Sequence, residues 1–154
     1  MGIKKDDIKR LTDAMECLIM TLKEVDGRCV ELTQDIDEQD LHLVSFIGER
    51  GSVIMRDIAE FLNIPFSTAT GIVDKLVSKA YLKRVHSETD RRTVLVELDR
   101  CGKAAFKTFA EMKEELGERM LQLVTPEEKE QFISIMEKIT FRLTQQQVIE
   151  KHIN

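Results

Sequence analysis

A chain of 154 residues with 33 % charged and 5 % aromatic residues, seven glycines and two prolines reads as one helix-rich domain, which excludes a disordered or fibrous polymer. No uncharged apolar run approaches the ~20 residues of a membrane helix, the charged start MGIKKDDIKR lacks the apolar core of a signal peptide, and three cysteines are too few and too odd for a disulfide framework. The expectation is a soluble cytoplasmic protein with no membrane partner and no cofactor.

The net charge of −5 would disfavour a polyanionic partner if it were evenly spread. It is not. Between Lys75 and Arg92 six cations (Lys75, Lys79, Lys83, Arg84, Arg91 and Arg92) face only Glu88 and Asp90, a net of +4 on an otherwise acidic chain. A compact basic segment of this kind is the footprint of a phosphate-binding surface; on charge alone, a solvated face is the equal alternative.

In chain order, Ile8, Leu11, Met15, Leu18, Leu22 and Val25 recur in steps of three and four and predict an amphipathic helix. Asp37, followed by Glu38 and Asp40, predicts the capped start of a second helix that ends at Gly51. Ser52 to Met55 reads as a short strand and Arg56 to Leu62 as a short helix closed by a left-handed Asn63. Pro65 then suits the first turn of another helix. Its buried stripe is Ala69, Ile72, Val73, Leu76 and Val77, leaving Ser67, Thr68, Thr70, Gly71, Asp74, Lys75 and Ser78 outside.

Tyr81 to His86 and Thr93 to Leu98, around the polar Ser87–Asp90 turn, predict a β-hairpin. Asp99 is placed to cap a long helix with Ala105, Phe109, Met112, Leu116, Met120 and Leu123 on one stripe. Thr125-Pro126-Glu127-Glu128 reads as a capping box that opens a last helix through Phe132, Ile135, Ile139 and Leu143. The fold class is therefore mainly α with a small β-hairpin: a winged helix-turn-helix with long terminal dimerisation helices. Residues 30–100 form the winged part, and 1–29 and 101–154 the dimerisation helices of a single domain. Helix, tight turn, helix and hairpin is the order in which the second helix enters the major groove.

The segment IAEFLNIPFSTATGIVDKLVSKAYLKR, followed by HSETDRRTVLVELDRCGKA, resembles the MarR family of winged helix-turn-helix regulators, with Asp90-Arg91-Arg92, Leu98 and Gly102 resembling its wing motif. The resemblance implies a homodimer built from helices at both chain ends and a recognition helix bearing Ser67, Thr68, Thr70 and Lys75. It further implies a wing in which Arg92, beside Arg91, enters the minor groove while Asp90 holds the wing. A small apolar or aromatic effector between the dimerisation and DNA-binding helices is implied as well. Three positions depart from the family pattern: Ala80 stands where glycine is common, Asp99 replaces a threonine, and Gly71 occupies a position where some members carry an arginine. If residue 80 is left-handed, alanine there carries strain.

Methionines at helical spacing, among them Met15, Met20 and Met136, are expected in the core. No histidine has the sequence partner of a nucleophile–base pair, and there is no glycine-rich phosphate loop or metalloprotease helix, so no enzyme is expected. Glu24, Cys29 and His42 resemble part of the ligand set of zinc-responsive members, although the fifth helix offers Phe106, Thr108, Phe109 and Met112 instead of histidines. Cys17 resembles the thiol of peroxide-sensing members, but a buried inert thiol is the expectation. The function expected is sequence-specific binding of double-stranded DNA by a homodimeric, ligand-responsive repressor on a pseudo-palindromic operator. The alternatives are a winged-helix protein-interaction module without DNA binding and a zinc- or thiol-responsive regulator.

Overall fold

The computed structural model describes residues 2–33, 35–87 and 92–153, in two compact units, Met1–Lys113 and Glu114–Asn154. The first unit contains helix α1 (Lys5–Thr33), α2 (Glu38–Arg50), strand β1 (Ser52–Ile54), α3 (Met55–Leu62), α4 (Phe66–Ser78), strands β2 (Leu82–His86) and β3 (Val94–Leu98), and the first half of α5 (Arg100–Leu121). No described helix is long and apolar enough to cross a membrane.

Local chemistry sets the element ends. The Asp37 carboxylate accepts the Asp40 N–H at 2.9 Å while the Asp40 carboxylate accepts the Asp37 N–H at 3.2 Å, a reciprocal cap on α2. Gly51 ends that helix at φ 78°, and Asn63 ends α3 at φ 53°, conformations that glycine and asparagine adopt at least cost. Pro65 lies one position ahead of α4, whose first residue is Phe66.

The hairpin is part of a larger sheet than expected. Strand β1 pairs antiparallel with β3, Val53 opposite Val96, giving the order β1-β3-β2. The core gathers Leu41, Leu43, Val44 and Ile47 of α2, Ile58 of α3, Ala69, Val73 and Leu76 of α4, and Leu82, Val96 and Leu98 of the sheet. Burying such side chains is worth about 1.5–3 kcal/mol each, so α4 and the sheet are fixed to one body.

The second unit comprises the end of α5 and helix α6 (Pro126–Ile153). Thr125 and Glu128 cap α6 reciprocally, at 2.9 and 3.3 Å. Leu123 does not continue the α5 stripe: that helix ends at Leu121, and Leu123 is 85 % exposed in the following turn. The methionine expectation also needs correction, since Met15, Met20 and Met136 are exposed in the single chain. Met15 belongs to the Ile8–Leu11–Met15 stripe of α1, and Met136 stands one turn from Phe132 on α6.

Candidate nucleic-acid interface

Helix α4 turns Ala69, Val73 and Leu76 inward and leaves Phe66, Ser67, Thr68, Gly71, Asp74 and Ser78 exposed. Ser67 and Thr68 thus stand where groove contact is expected of a helix N-terminus. Thr70 is half-buried, and its hydroxyl donates to the Phe66 carbonyl at 2.9 Å, which leaves it free only to accept. Sequence reasoning missed Phe66, the first residue of α4, which is 59 % exposed. Its signal was the proline before it: a helix beginning one residue later puts residue 66 on the outer face.

The basic segment is arranged differently from its appearance in the sequence. Lys75 Nζ lies 2.6 Å from Asp40 Oδ2 and 3.5 Å from Asp37 Oδ2, and Lys79 donates to the Asp35 carbonyl. Lys83 pairs with Glu97 across the sheet at 3.0 Å, and Arg84 with Asp74 at 2.7 Å. Lys75, Lys79, Lys83 and Arg84 therefore each engage a protein acceptor. Burial works to lower the Lys75 pKa but is outweighed by the hydrogen bond and charge of Asp40, with Asp37 adding to them, so the net shift is upward. Arg92 is exposed at the hairpin; Asp90 and Arg91, also expected to act there, lie outside the described residues.

A cavity of about 470 Å³ is lined by Leu22 and Val25 of α1, Phe46 and Arg50 of α2, Phe61 of α3 and Phe109 of α5, among others. Phe46 and Phe61 stack with centroids 4.0 Å apart, and the Arg50 guanidinium lies 3.9 Å from the Phe46 ring centre. Lys113 sits 4.6 Å from the centre of the Phe109 ring. Three phenylalanines thus share the lining with the cations Arg50 and Lys113 and the acids Asp26 and Glu49.

The expected metal set is not brought together. Among the described residues the three potential ligands within 4.8 Å of one another are Asp26, Glu38 and His42, with His42 Nε2 at 3.4 Å from Asp26 and 3.9 Å from Glu38. Glu24 is exposed and Cys29 is fully buried. Residues two apart on a helix do not share a face, so Asp26 turned toward His42 carries Glu24 away. Burial, reinforced by the charge of Asp26, raises the Cys29 pKa and holds a neutral thiol, which is a poor ligand. Cys17, expected to be buried, is exposed.

Residues 36–94, from the turn before α2 to the start of β3, match the model of the MarR family. Over that segment the chain is similar to the MarR family. It is similar to the uncharacterized HTH-type transcriptional regulator YfiV of Bacillus subtilis, 33 % identical over 96 residues, a match that takes in 62 % of this chain and 60 % of YfiV. The chain therefore matches less than two thirds of the length of that relative. Among solved structures it resembles Streptococcus pneumoniae FabT in complex with DNA, at a TM-score of 0.70 and 24 % identity over 92 % of this chain and 96 % of that one. It also resembles S. aureus MepR bound to ethidium bromide, at a TM-score of 0.66 and 19 % identity over 86 % and 95 % of the two chains. These likenesses establish a winged-helix fold, mainly α with a three-stranded antiparallel sheet. The curated relatives are transcription regulators, not enzymes.

Proposed function

We propose that this chain is a MarR-type cytoplasmic, sequence-specific regulator that binds double-stranded DNA as a homodimer and represses from a pseudo-palindromic operator. The observation that carries this reading is the joining of two surfaces: the exposed Ser67–Thr68 edge of α4 and the hairpin bearing Arg92 belong to one body through the shared core of Ala69, Val73, Leu76, Leu82, Val96 and Leu98, with the Arg84–Asp74 pair at its surface. A helix for the major groove and an arginine for the minor groove are then presented together. Ser67, Thr68 and Thr70 are assigned to the major groove, Arg91 and Arg92 to the wing contact, and Asp90 to holding the wing. FabT, of the same fold, has been solved with DNA.

The dimer reading is supported by apolar residues that the single chain leaves in water. Ile8, Leu11 and Met15 of α1 and Phe132, Ile135, Ile139 and Leu143 of α6 are 37–60 % exposed. Exposed apolar stripes on each of these helices call for a partner, and a second copy supplies the same stripes. An effector reading rests on the aromatic cavity, whose lining suits a small apolar or aromatic molecule; MepR, of the same fold, was solved with ethidium bound.

Selection of bound duplexes from genomic fragments, followed by titration over a salt series, tests the assignment. The expected result is a selected site with half-sites about one helical turn apart and a sedimenting dimer. Arg92→Ala should weaken operator binding by about 1–3 kcal/mol and lower the salt slope by about one unit. No salt-dependent binding to any duplex would favour the protein-interaction module, a reading to which the internally paired cations and the exposed Asp74 lend weight.

A further inference from the structure

Three side chains from the second half of α4 and the turn after it reach one short stretch, residues 33–40, where α1 gives way to α2. Lys75 pairs with Asp40 at 2.6 Å and with Asp37 at 3.5 Å. Lys79 donates to the Asp35 carbonyl, and the Tyr81 hydroxyl donates to the Thr33 carbonyl. The Tyr81 backbone completes the junction, donating to Leu76 at 2.9 Å and accepting from Asp99 at 2.9 Å. One row of polar contacts thus joins the end of α1, the start of α2, the end of α4 and the approach to α5.

The Asp40–Lys75 pair is the centre of this row. Asp40 is 2 % exposed, and a buried carboxylate is costly unless a charge and hydrogen bonds satisfy it. Lys75 supplies the charge and the Asp37 N–H a hydrogen bond. With carboxylates at 2.6 and 3.5 Å the Lys75 charge is already offset, and a phosphate approaching it would meet Asp37 and Asp40 as well. Lys75 was read in the sequence as a DNA contact; its geometry is that of a strut.

We propose that this row sets the angle at which α4 meets DNA, and that Lys75 is a positioning residue acting through Asp40, not a phosphate ligand. The inference rests on the DNA-binding reading above. Its physical basis is that base contacts require groups held to within about 0.5 Å and 10–20°. Phosphate attraction is far less demanding of orientation. Loosening the row should therefore reduce specific binding and leave non-specific binding intact.

The test uses the full chain, a duplex selected by the protein and a shuffled duplex of the same composition, titrated over a salt series. The variants are Lys75→Met, Asp40→Asn, the two together, and Lys75→Arg. Lys75→Met and Asp40→Asn should each weaken binding to the selected duplex about tenfold, with the shuffled duplex and the salt slope unchanged. The double variant should lose no more than the worse single one, because both changes break one interaction; Lys75→Arg should retain most of the affinity. Should Asp40→Asn fail to fold, Tyr81→Phe breaks the row at its other end while keeping the ring, and should give the same pattern. A salt slope lowered by about 0.9 in Lys75→Met alone, with losses that add in the double variant, would make Lys75 a phosphate ligand and overturn the proposal. Unchanged ratios of selected to shuffled binding, beside lower melting temperatures, would overturn it too and reduce the row to a support of the fold. Failure of the unaltered protein to bind any duplex would instead refute the DNA-binding reading.

Discussion

The Arg84 guanidinium lies 2.7 Å from the Asp74 carboxylate, so the first strand of the hairpin and the exposed face of α4 are joined by an ion pair between side chains 34 % and 58 % exposed. Asp74 is an acid on the surface assigned to DNA, tolerable there because Arg84 neutralises it. Asp74→Ala should free Arg84 and remove a repulsive charge. Affinity for DNA of any sequence should rise severalfold, and the salt slope should steepen by about 0.9. Stability should change by no more than about 1 kcal/mol, as for surface pairs generally. Anisotropy titrations on selected and shuffled duplexes check this; a loss of affinity would mean that the pinned position of Arg84 matters more than its charge.

Phe66, the first residue of α4, is exposed. An apolar side chain there can contact a thymine methyl in the major groove. Replacing the contacted thymine by uracil should cost the unaltered protein about 0.8 kcal/mol, the worth of one buried methylene-sized group. Phe66→Ala should bind the thymine and uracil duplexes equally. A uracil scan that finds no sensitive position would remove Phe66 from the reading surface.

Ala80 adopts φ 58°, in the left-handed region where its Cβ is unwelcome. That conformation costs a non-glycine residue about 1–2 kcal/mol, and glycine loses part of the advantage through its greater freedom when unfolded. Ala80→Gly should therefore stabilise the protein by about 1 kcal/mol or less. Gly102→Ala should do the reverse, because its Cβ would lie 2.0 Å from the Tyr81 carbonyl oxygen. Since that oxygen belongs to a backbone also holding α4 and α5, relief requires the chain to move, at a cost of about 3 kcal/mol. Thermal melts of both variants check the opposite signs.

Burial, with the Asp26 charge second, raises the Cys29 pKa above its ordinary 9.0. Between those two values the unfolded chain has lost the proton that the folded chain keeps, so stability falls as pH rises. The contribution is complete below about 9 and is lost as pH climbs through the raised value. Burial likewise raises Tyr81, with neighbouring Cys101 and Asp35 adding to the effect, so a second loss should follow above its ordinary 10.0. Melting temperature recorded from neutral to strongly alkaline pH should decline in that order, and Cys29→Ala should remove the first step. In the folded protein a thiol reagent should modify the exposed Cys17 and spare Cys29 until unfolding. Rapid modification of Cys29 at neutral pH would contradict its burial.

Much of the fold was legible because its signals are local. Asp37 and Asp40 had to cap what followed, Gly51 and Asn63 had to end helices, and Thr125 with Glu128 had to open one; the structure places each of them so. The question raised at Ala80 was also answerable in kind, since the turn after α4 is left-handed. The sheet was harder to read, because β1 joins β3 across a long loop of chain and three residues carry too little pattern to announce a partner. The alternative metal set of Glu24, Cys29 and His42 was hard to judge for a related reason: Glu38 and His42 are one turn apart on α2, but which α1 residue faces them depends on how the two helices pack.

Sequence alone determined the order of elements, the burial stripe of α4, the family likeness and the position of the basic segment, since periodicity, caps and charge counts are properties of neighbouring residues. Tertiary structure alone decided what the charges do. Lys75, Lys79, Lys83 and Arg84 look alike in the sequence, yet each meets a different acceptor brought close by folding: Asp40, the Asp35 carbonyl, Glu97 and Asp74. A cation serves DNA or the protein according to the distance to its nearest acceptor, because attraction falls with separation and strengthens where water is excluded. That distance is set by how helices and strands pack, and no count of charges along the chain contains it.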